Sequence, residues 1–262
     1  MHQHGSLGGP PAALVTGAGR RIGRAFAERL AARGCFVGLH CNASRDEAEE
    51  AAAAIRSAGG ACAVLRADLA QRADVLRLAA DMAALAPGPV TILVNNASLF
   101  EQDRADSFTA ESWQRHMAVN LEAPVLLAQH LARGLPAGRE GVVVNMLDQK
   151  LFNLNPDHFT YTLAKAGLLT ATRTMAQALR GRVRIAGIAP GLTLPSTRQT
   201  PERFAQAFRD TPLGRSSTVP ELVAALDFIL DTPGYTGEVL VLDGGESLRP
   251  RGRDVSFDPA LT

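Results

Sequence analysis

Tyr161 and Lys165 stand four positions apart in the stretch NMLDQKLFNLNPDHFTYTLAK (145–165), and Asp148 lies thirteen positions before the tyrosine. In water a phenol titrates near pH 10 and a lysine ammonium near 10.4, so neither is poised for proton transfer at neutral pH. On a helix, positions i and i+4 share one face. An ammonium about 4–6 Å from a phenol favours phenolate and lowers the tyrosine pKa. The spacing therefore predicts a tuned acid, with Tyr161 as proton donor. Asp148 is the odd member, an acid that follows the apolar run GVVVNML (141–147). A Tyr-x-x-x-Lys match alone arises often by chance, so the pair takes its meaning from the elements around it.

A second group of residues points to a nucleotide. LVTGAGRRIG (14–23) reads as an apolar strand, a turn holding Gly17, Gly19 and Gly23, and the start of a helix. Glycine permits a left-handed backbone and close approach to a pyrophosphate, which then sits at the positive end of the helix. The second strand runs into LHCNASRDE, with no acid at His40, Cys41 or Asn42 to bind a ribose 2′-hydroxyl. Ser44, Arg45 and the turn residues Arg20 and Arg21 are placed to meet a 2′-phosphate instead, which favours NADP(H) over NAD(H). Arg45 also reads as a solvated helix-start charge, and the choice between Arg20 and Arg21 stays open. Asp68 follows the third strand within reach of an adenine amine. Asn95-Asn96-Ala97 ends the fourth strand, at the carboxyl edge where α/β sheets bind ligands.

These groups need a scaffold, and the hydrophobic pattern supplies one. Seven short apolar runs read as strands, at 12–16, 35–40, 61–67, 90–95, 141–147, 183–189 and 238–243. They are nearly continuous rather than alternating, which suits strands buried on both faces of a parallel sheet. Helical stretches at 24–34, 44–60 and 72–85 lie between them, with Gly34 and Gly59-Gly60 as stop signals. The expected fold is α/β, a Rossmann-like doubly wound sheet of seven parallel strands. At 262 residues the chain suits one such domain, read as 12–262 after a flexible leader at 1–11. Residues 192–215 form an amphipathic insertion read as a lid. Net charge is +1, which gives no reason to invoke nucleic acid or an anionic membrane. No apolar run spans a bilayer. Cys35, Cys41 and Cys62 form no metal or disulfide pattern, no metal site is expected, and a reducing cytoplasm is the expected setting.

In order along the chain, TGAGRRIG (16–23), ADL (67–69), NNA (95–97), Asn120 in MAVNLEA, YTLAK (161–165), Pro190-Gly191 and LDGG (242–245) resemble the pattern of the short-chain dehydrogenase/reductase family. The match covers nearly everything after the leader. Within the family, the basic pair Arg20-Arg21, NNASLF (95–100), NMLD ahead of Tyr and Lys, APGLTLP (189–195) and TPLGRSSTVPELV (211–223) resemble the pteridine reductases and the related dihydromonapterin and dihydrofolate reductases. Asn42-Ala43 departs from the His-Arg often found there.

The resemblance implies an NADPH-dependent reductase whose Gly17, Gly19, Arg20, Arg21, Ile22 and Gly23 hold the pyrophosphate side of the cofactor. His40, Asn42 and Ser44 would serve the adenosine phosphate, Asp68 and Leu69 the adenine, and Asn96, Ala97, Pro190 and Gly191 the nicotinamide half. Tyr161 would protonate the atom made basic by hydride, Lys165 would also bond the nicotinamide ribose, and Asn120 would hold a water in the proton path. Most family members carry Ser at the position of Asp148. A carboxylate there would repel the oxyanion of ketone reduction but suits protonation of a ring nitrogen, with Asp148 and Tyr161 as a relay. Phe100 would stack on a pterin, Ser98 would bond its polar atoms, and Leu192, Leu194 and Leu213 would wall the pocket. Trp113 reads as a packing residue. Family tetramers imply pairing of the helices at 111–133 and 157–180. A ketone reductase acting on a 3-oxoacyl thioester or sugar, and a dinucleotide-sensing protein on the same fold, remain as alternative readings.

Overall fold

Strands that are apolar on both sides must be covered on both sides, and the computed structural model shows that cover for residues 10–195, 200–255 and 257, which it describes. Seven strands, β1 (Ala12–Val15), β2 (Phe36–Cys41), β3 (Ala61–Arg66), β4 (Val90–Asn95), β5 (Gly141–Met146), β6 (Val183–Pro190) and β7 (Val239–Leu242), form one sheet in the order β3-β2-β1-β4-β5-β6-β7. Every pairing is parallel. The chain winds outward in one direction from β1 and in the other from β4, so the crevice at their carboxyl ends is the topological switch point.

The pleat sends alternate residues to opposite cores. Ala13 and Val15 pack with Phe26 and Leu30 of α1 (Arg21–Ala32), Ile55 of α2 (Arg45–Ser57) and Leu226 of α8 (Val219–Asp231). Ala12 and Leu14 face Leu78 and Met82 of α3 (Arg72–Leu85) and Leu127 and Leu131 of α5 (Ala123–Gly134). The second face also takes α6 (Phe159–Ala178) through Ala176. Helix α4 (Ala110–Met117) runs into α5 through a π-helical turn at Ala118–Glu122. The insertion expected at 192–215 contains helix α7 (Pro201–Arg209), its start capped by Thr200. Its residues 196–199, and residues 1–9 of the expected leader, lie outside the described residues.

One polar ladder crosses the second core. Asn95 Nδ2 donates to Asn145 Oδ1 at 2.8 Å, Asn145 Nδ2 donates to Thr172 Oγ1 at 2.9 Å, and Thr172 Oγ1 donates to Leu168 O at 2.8 Å. All three side chains are buried. The ladder ties β4 and β5 to α6, the helix that carries Tyr161 and Lys165. Removing its middle takes one bond each from two buried partners, leaving Asn95 only the carbonyl of Pro124 and Thr172 only that of Leu168, and opens a small buried void. Asn145→Ala is expected to destabilise the fold by about 2 kcal/mol. Thermal unfolding should then fall by roughly 4–8 °C, whereas an unchanged melting temperature would show the ladder to be dispensable.

Candidate active site

The glycine turn is braced from three sides. Gly17 has φ +65° and its N–H donates to His40 Nδ1 at 3.1 Å. Asn96 Nδ2 donates to the carbonyls of Thr16 at 2.9 Å and Gly17 at 3.1 Å. A Cβ on Gly23 would lie 2.1 Å from Gly17 O and 2.5 Å from Asn96 Nδ2, so helix α1 approaches the turn only because that position has no side chain. His40 sits beneath the turn rather than open to a nucleotide. It is 2% exposed, and burial lowers its pKa to about 4. With Nδ1 accepting from Gly17, the proton belongs on Nε2, which lies 3.1 Å from Ala67 O. This corrects its expected role as a cofactor contact: the neutral ring is a strut.

Around the end of β2, Ser44 lies against Gly19, where a Cβ would come within 3.2 Å of Ser44 Oγ. Asn42 Nδ2 donates to Asp68 Oδ1 at 3.4 Å, and Leu69 is buried behind it. Arg66 Nε donates to Asn42 O at 3.3 Å, and both Arg45 and Arg66 act on the Cys41 thiol. Two guanidiniums thus gather at the end of β2, and Arg66 is one the sequence pattern did not single out. Arg20 is exposed on the turn. Arg21, also at positive φ (56°), spends its guanidinium on the carbonyls of Pro195 at 2.9 Å and Leu194 at 3.3 Å. It thereby tethers the turn to the segment after β6, at the edge of the cavity.

Beyond β4 and β5 the switch point opens into a cavity of about 310 Å³. Its lining includes Ile22, Asn96, Ser98, Phe100, Asp148, Tyr161, Lys165, Pro190, Gly191, Leu192 and Leu194. The two groups of predicted residues therefore meet in one place. Leu213 does not join them; it is 70% exposed on the surface, which corrects its expected place in the pocket wall.

At the centre, Tyr161 Oη donates to Asp148 Oδ2 at 2.6 Å. Asp148 Oδ1 accepts from Lys150 N at 2.8 Å, and Lys165 Nζ donates to Met146 O at 2.6 Å. The lysine lies 5.8 Å from the centroid of the tyrosine ring. Its pull does not decide the phenol. Burial, with the Asp148 carboxylate adding to it, raises the Tyr161 pKa well above 10, with Ser98 acting in the opposite direction. Burial also raises Asp148 above the usual carboxylate range and lowers Lys165 to about 8. The expected lowering of the tyrosine pKa is thus corrected to a raised one, in a phenol hydrogen-bonded to an acid, because the sequence spacing gave the cation but not the depth of burial.

The start of α6 is fixed by residues far away in sequence. Asp103 Oδ1 accepts from Thr160 N at 3.0 Å, and its Oδ2 accepts from the Thr160 hydroxyl. Thr160 Oγ1 also lies 2.7 Å from His116 Nδ1. His158, at φ 54°, bonds Glu101 O through Nδ1 at 3.0 Å. Phe100 stacks on His158 with centroids 4.0 Å apart and meets Tyr161 edge-on at 4.7 Å. One face of Phe100 is therefore taken by His158, and the ring is still 48% exposed, with room for a second flat partner. Asn120 Nδ2 donates to Leu99 O at 2.8 Å, while its Oδ1 accepts from Leu99 N at 2.9 Å and Ser98 Oγ at 3.2 Å. From the π-helical turn, its amide positions the 98–99 loop. Trp113 packs with Phe108 at 5.8 Å.

The far wall of the cavity was not legible as a site. Glu246, Arg251, Arg253 and Asp254 line it, and an ion pair fixes the last segment to the approach to α6. Arg253 Nε and Nη2 each lie 2.8 Å from an Asp157 oxygen. Asp210, at the end of α7, accepts from Arg249 Nη1 at 2.6 Å and Arg251 Nη2 at 2.6 Å. Burial raises the Glu246 pKa to about 7.

The family model for the short chain dehydrogenases matches residues 11–206. The chain is 32% identical to 3beta-hydroxysteroid dehydrogenase 1 of Eggerthella lenta, over 90% of this chain and 94% of that protein. Among solved structures it is similar to the NADP complex of FolM alternative dihydrofolate reductase 1 from Brucella suis. The TM-score is 0.88 and the identity 44%, over 92% of this chain and 96% of the other. It is also similar to the angucycline C-6 ketoreductase LanV with bound NADP, with TM-score 0.83 and 29% identity over 91% and 96% of the two chains. The chain belongs to the short-chain dehydrogenase family.

The shifted Glu246 makes a sign-definite prediction. The folded chain keeps that proton up to about pH 7, whereas the unfolded chain releases it near 4.5. Between those values the folded state binds more protons, so stability is fully present below pH 4.5 and falls as pH rises to 7. Glu246→Gln removes this loss. In denaturant titrations the variant should gain on the parent by on the order of 3 kcal/mol across that window; parallel pH profiles would refute the buried acid.

Proposed function

We propose that this short-chain dehydrogenase is an NADPH-dependent reductase of a pterin or dihydropterin ring. The observation that carries this reading is the Tyr161–Asp148 pair, 2.6 Å apart and facing the cavity. The cofactor supplies hydride when bound. Gly17, Gly19 and Gly23 provide a cradle that side chains would fill, Arg45 and Arg66 supply positive charge for a 2′-phosphate, and Lys165 would hold a ribose. NADP complexes of FolM and LanV, similar to this chain over most of its length, support that assignment.

The substrate assignment follows from charge. Reduction of a ketone develops an alkoxide, which favours a neutral hydroxyl beside it and is repelled by a carboxylate. Reduction of a ring C=N leaves a nitrogen that must gain a proton. Asp148, whose raised pKa lets it hold a proton, can pass that proton to the nitrogen, and the Tyr161 phenol keeps its own proton and donates a hydrogen bond to the carboxylate left behind, which solvent then reprotonates. Phe100 offers a flat surface beside them. By the same family likeness the chain assembles as a homotetramer, for which Trp113 of α4 and Leu163 of α6, each 38% exposed, offer apolar surface.

NADPH absorbance should fall with a dihydropterin or dihydrofolate and not with an acetoacetyl thioester. Turnover confined to the thioester would overturn the proposal in favour of a ketone reductase. Asp148→Ser should lower kcat for the dihydropterin by about 100-fold, and a variant as fast as the parent would remove Asp148 from the proton path. Light scattering should give a mass near four chains, and a monomer would refute the assembly.

A further inference from the structure

Glu246 is delivered to the cavity wall by a rigid turn. Asp243 Oδ1 accepts from Gly245 N at 2.8 Å and its Oδ2 from Ser247 N at 2.7 Å. Gly244 (φ +65°) admits no side chain, since a Cβ there would lie 1.9 Å from Arg215 O. The Glu246 side chain is 4% exposed, and its Oε2 is buried without a hydrogen-bond partner among the described residues. The facing turn, Gln149–Phe152, packs against Glu246–Leu248. It carries a second such atom, the buried Oε1 of Gln149. Glu246 and Gln149 both line the cavity that holds Asp148 and Phe100.

Buried acceptors are rarely left without donors, so two of them on residues that line one cavity point to what should pair with them when a ligand enters and the side chains turn to it. A ketone oxygen is an acceptor only, so presented to such a wall it leaves both atoms unpaired. A planar ring bearing an exocyclic amine next to a ring N–H brings adjacent donors in one plane. We infer that Glu246 and Gln149 form the recognition wall for the amine-bearing pyrimidine edge of the substrate, opposite the edge that Asp148 protonates. This rests on the pterin reading and extends it, since it says which end of the ring faces the wall and why ketones are refused. Glu246 feels the positive charge of Arg251 and the negative charges of Asp148, Asp254 and Asp243. In that field a proton-sharing carboxyl can remain an acceptor for the amine without a full buried charge.

The test compares a pterin with the matching lumazine, in which a carbonyl replaces the exocyclic amine, on the full chain. Binding is read by fluorescence quenching in the presence of NADP+, and reduction of the two dihydro forms is read by NADPH absorbance. The parent should prefer the pterin by about 10-fold or more. Glu246→Leu should erase that preference, raising the dihydropterin KM far more than it lowers kcat, with NADP+ affinity unmoved. Gln149→Leu should narrow the preference by about 3-fold and serves if the first variant does not fold. If dihydropterin is reduced but both variants keep the preference, the wall is a water-filled structural feature and the inference fails alone. If the preference in binding is present and lost in Glu246→Leu while no reduction occurs, the inference stands and the proposed reaction fails. Equal binding of pterin and lumazine by the parent overturns the inference directly.

Discussion

Burying a phenol, a carboxylate and an ammonium side by side is the constraint that the rest of this molecule accommodates. Each charged form is penalised by the loss of water, and the penalties are offset only if the groups share protons and find fixed dipoles. Here Tyr161 donates to Asp148, Lys150 N–H donates to the same carboxylate, and Lys165 turns to the carbonyl of Met146. The first two groups are thereby kept as proton carriers and the third is drawn down to a pKa of about 8. A substrate that creates an oxyanion fits that environment poorly. One that needs a proton fits it well.

Holding three such groups in register requires a helix start that cannot fray. The Asp103–Thr160–His116 cluster performs that task, with partners 57 and 44 residues apart along the chain. His158 and Phe100 add a stacked pair at the same corner. From the other side, Asp157 and Asp210 bind the arginines of the last described segment and draw it against the approach to α6 and the end of α7. On the cofactor side the buried, neutral His40 and the amide of Asn96 fix the glycine turn through hydrogen bonds to its backbone.

The seven strands, their parallel order and the lateral position of the site follow from period and spacing, because apolar continuity and glycine turns are local signals. Tyr161, Lys165, Asp148, Asn96 and Phe100 were legible for the same reason, as each stands at a strand end or on one helix face. Glu246, Arg66, Asp103 and Arg253 were not. They are ordinary surface residue types, and only the winding of the chain brings them to partners far off in sequence.

What the sequence by itself determined is the scaffold, the glycine cradle, and an acid placed beside a tyrosine–lysine pair. These are properties of neighbours in the chain, set by backbone conformation and side-chain period. The tertiary structure decided the protonation of that pair, the turning of Arg21 to the segment after β6, the burial of His40 as a strut, and the unpaired oxygens of Glu246 and Gln149. Each of these depends on how much water is excluded and which distant group fills the space. Desolvation and long-range packing have no local signature, so they become visible only when the sheet is wound.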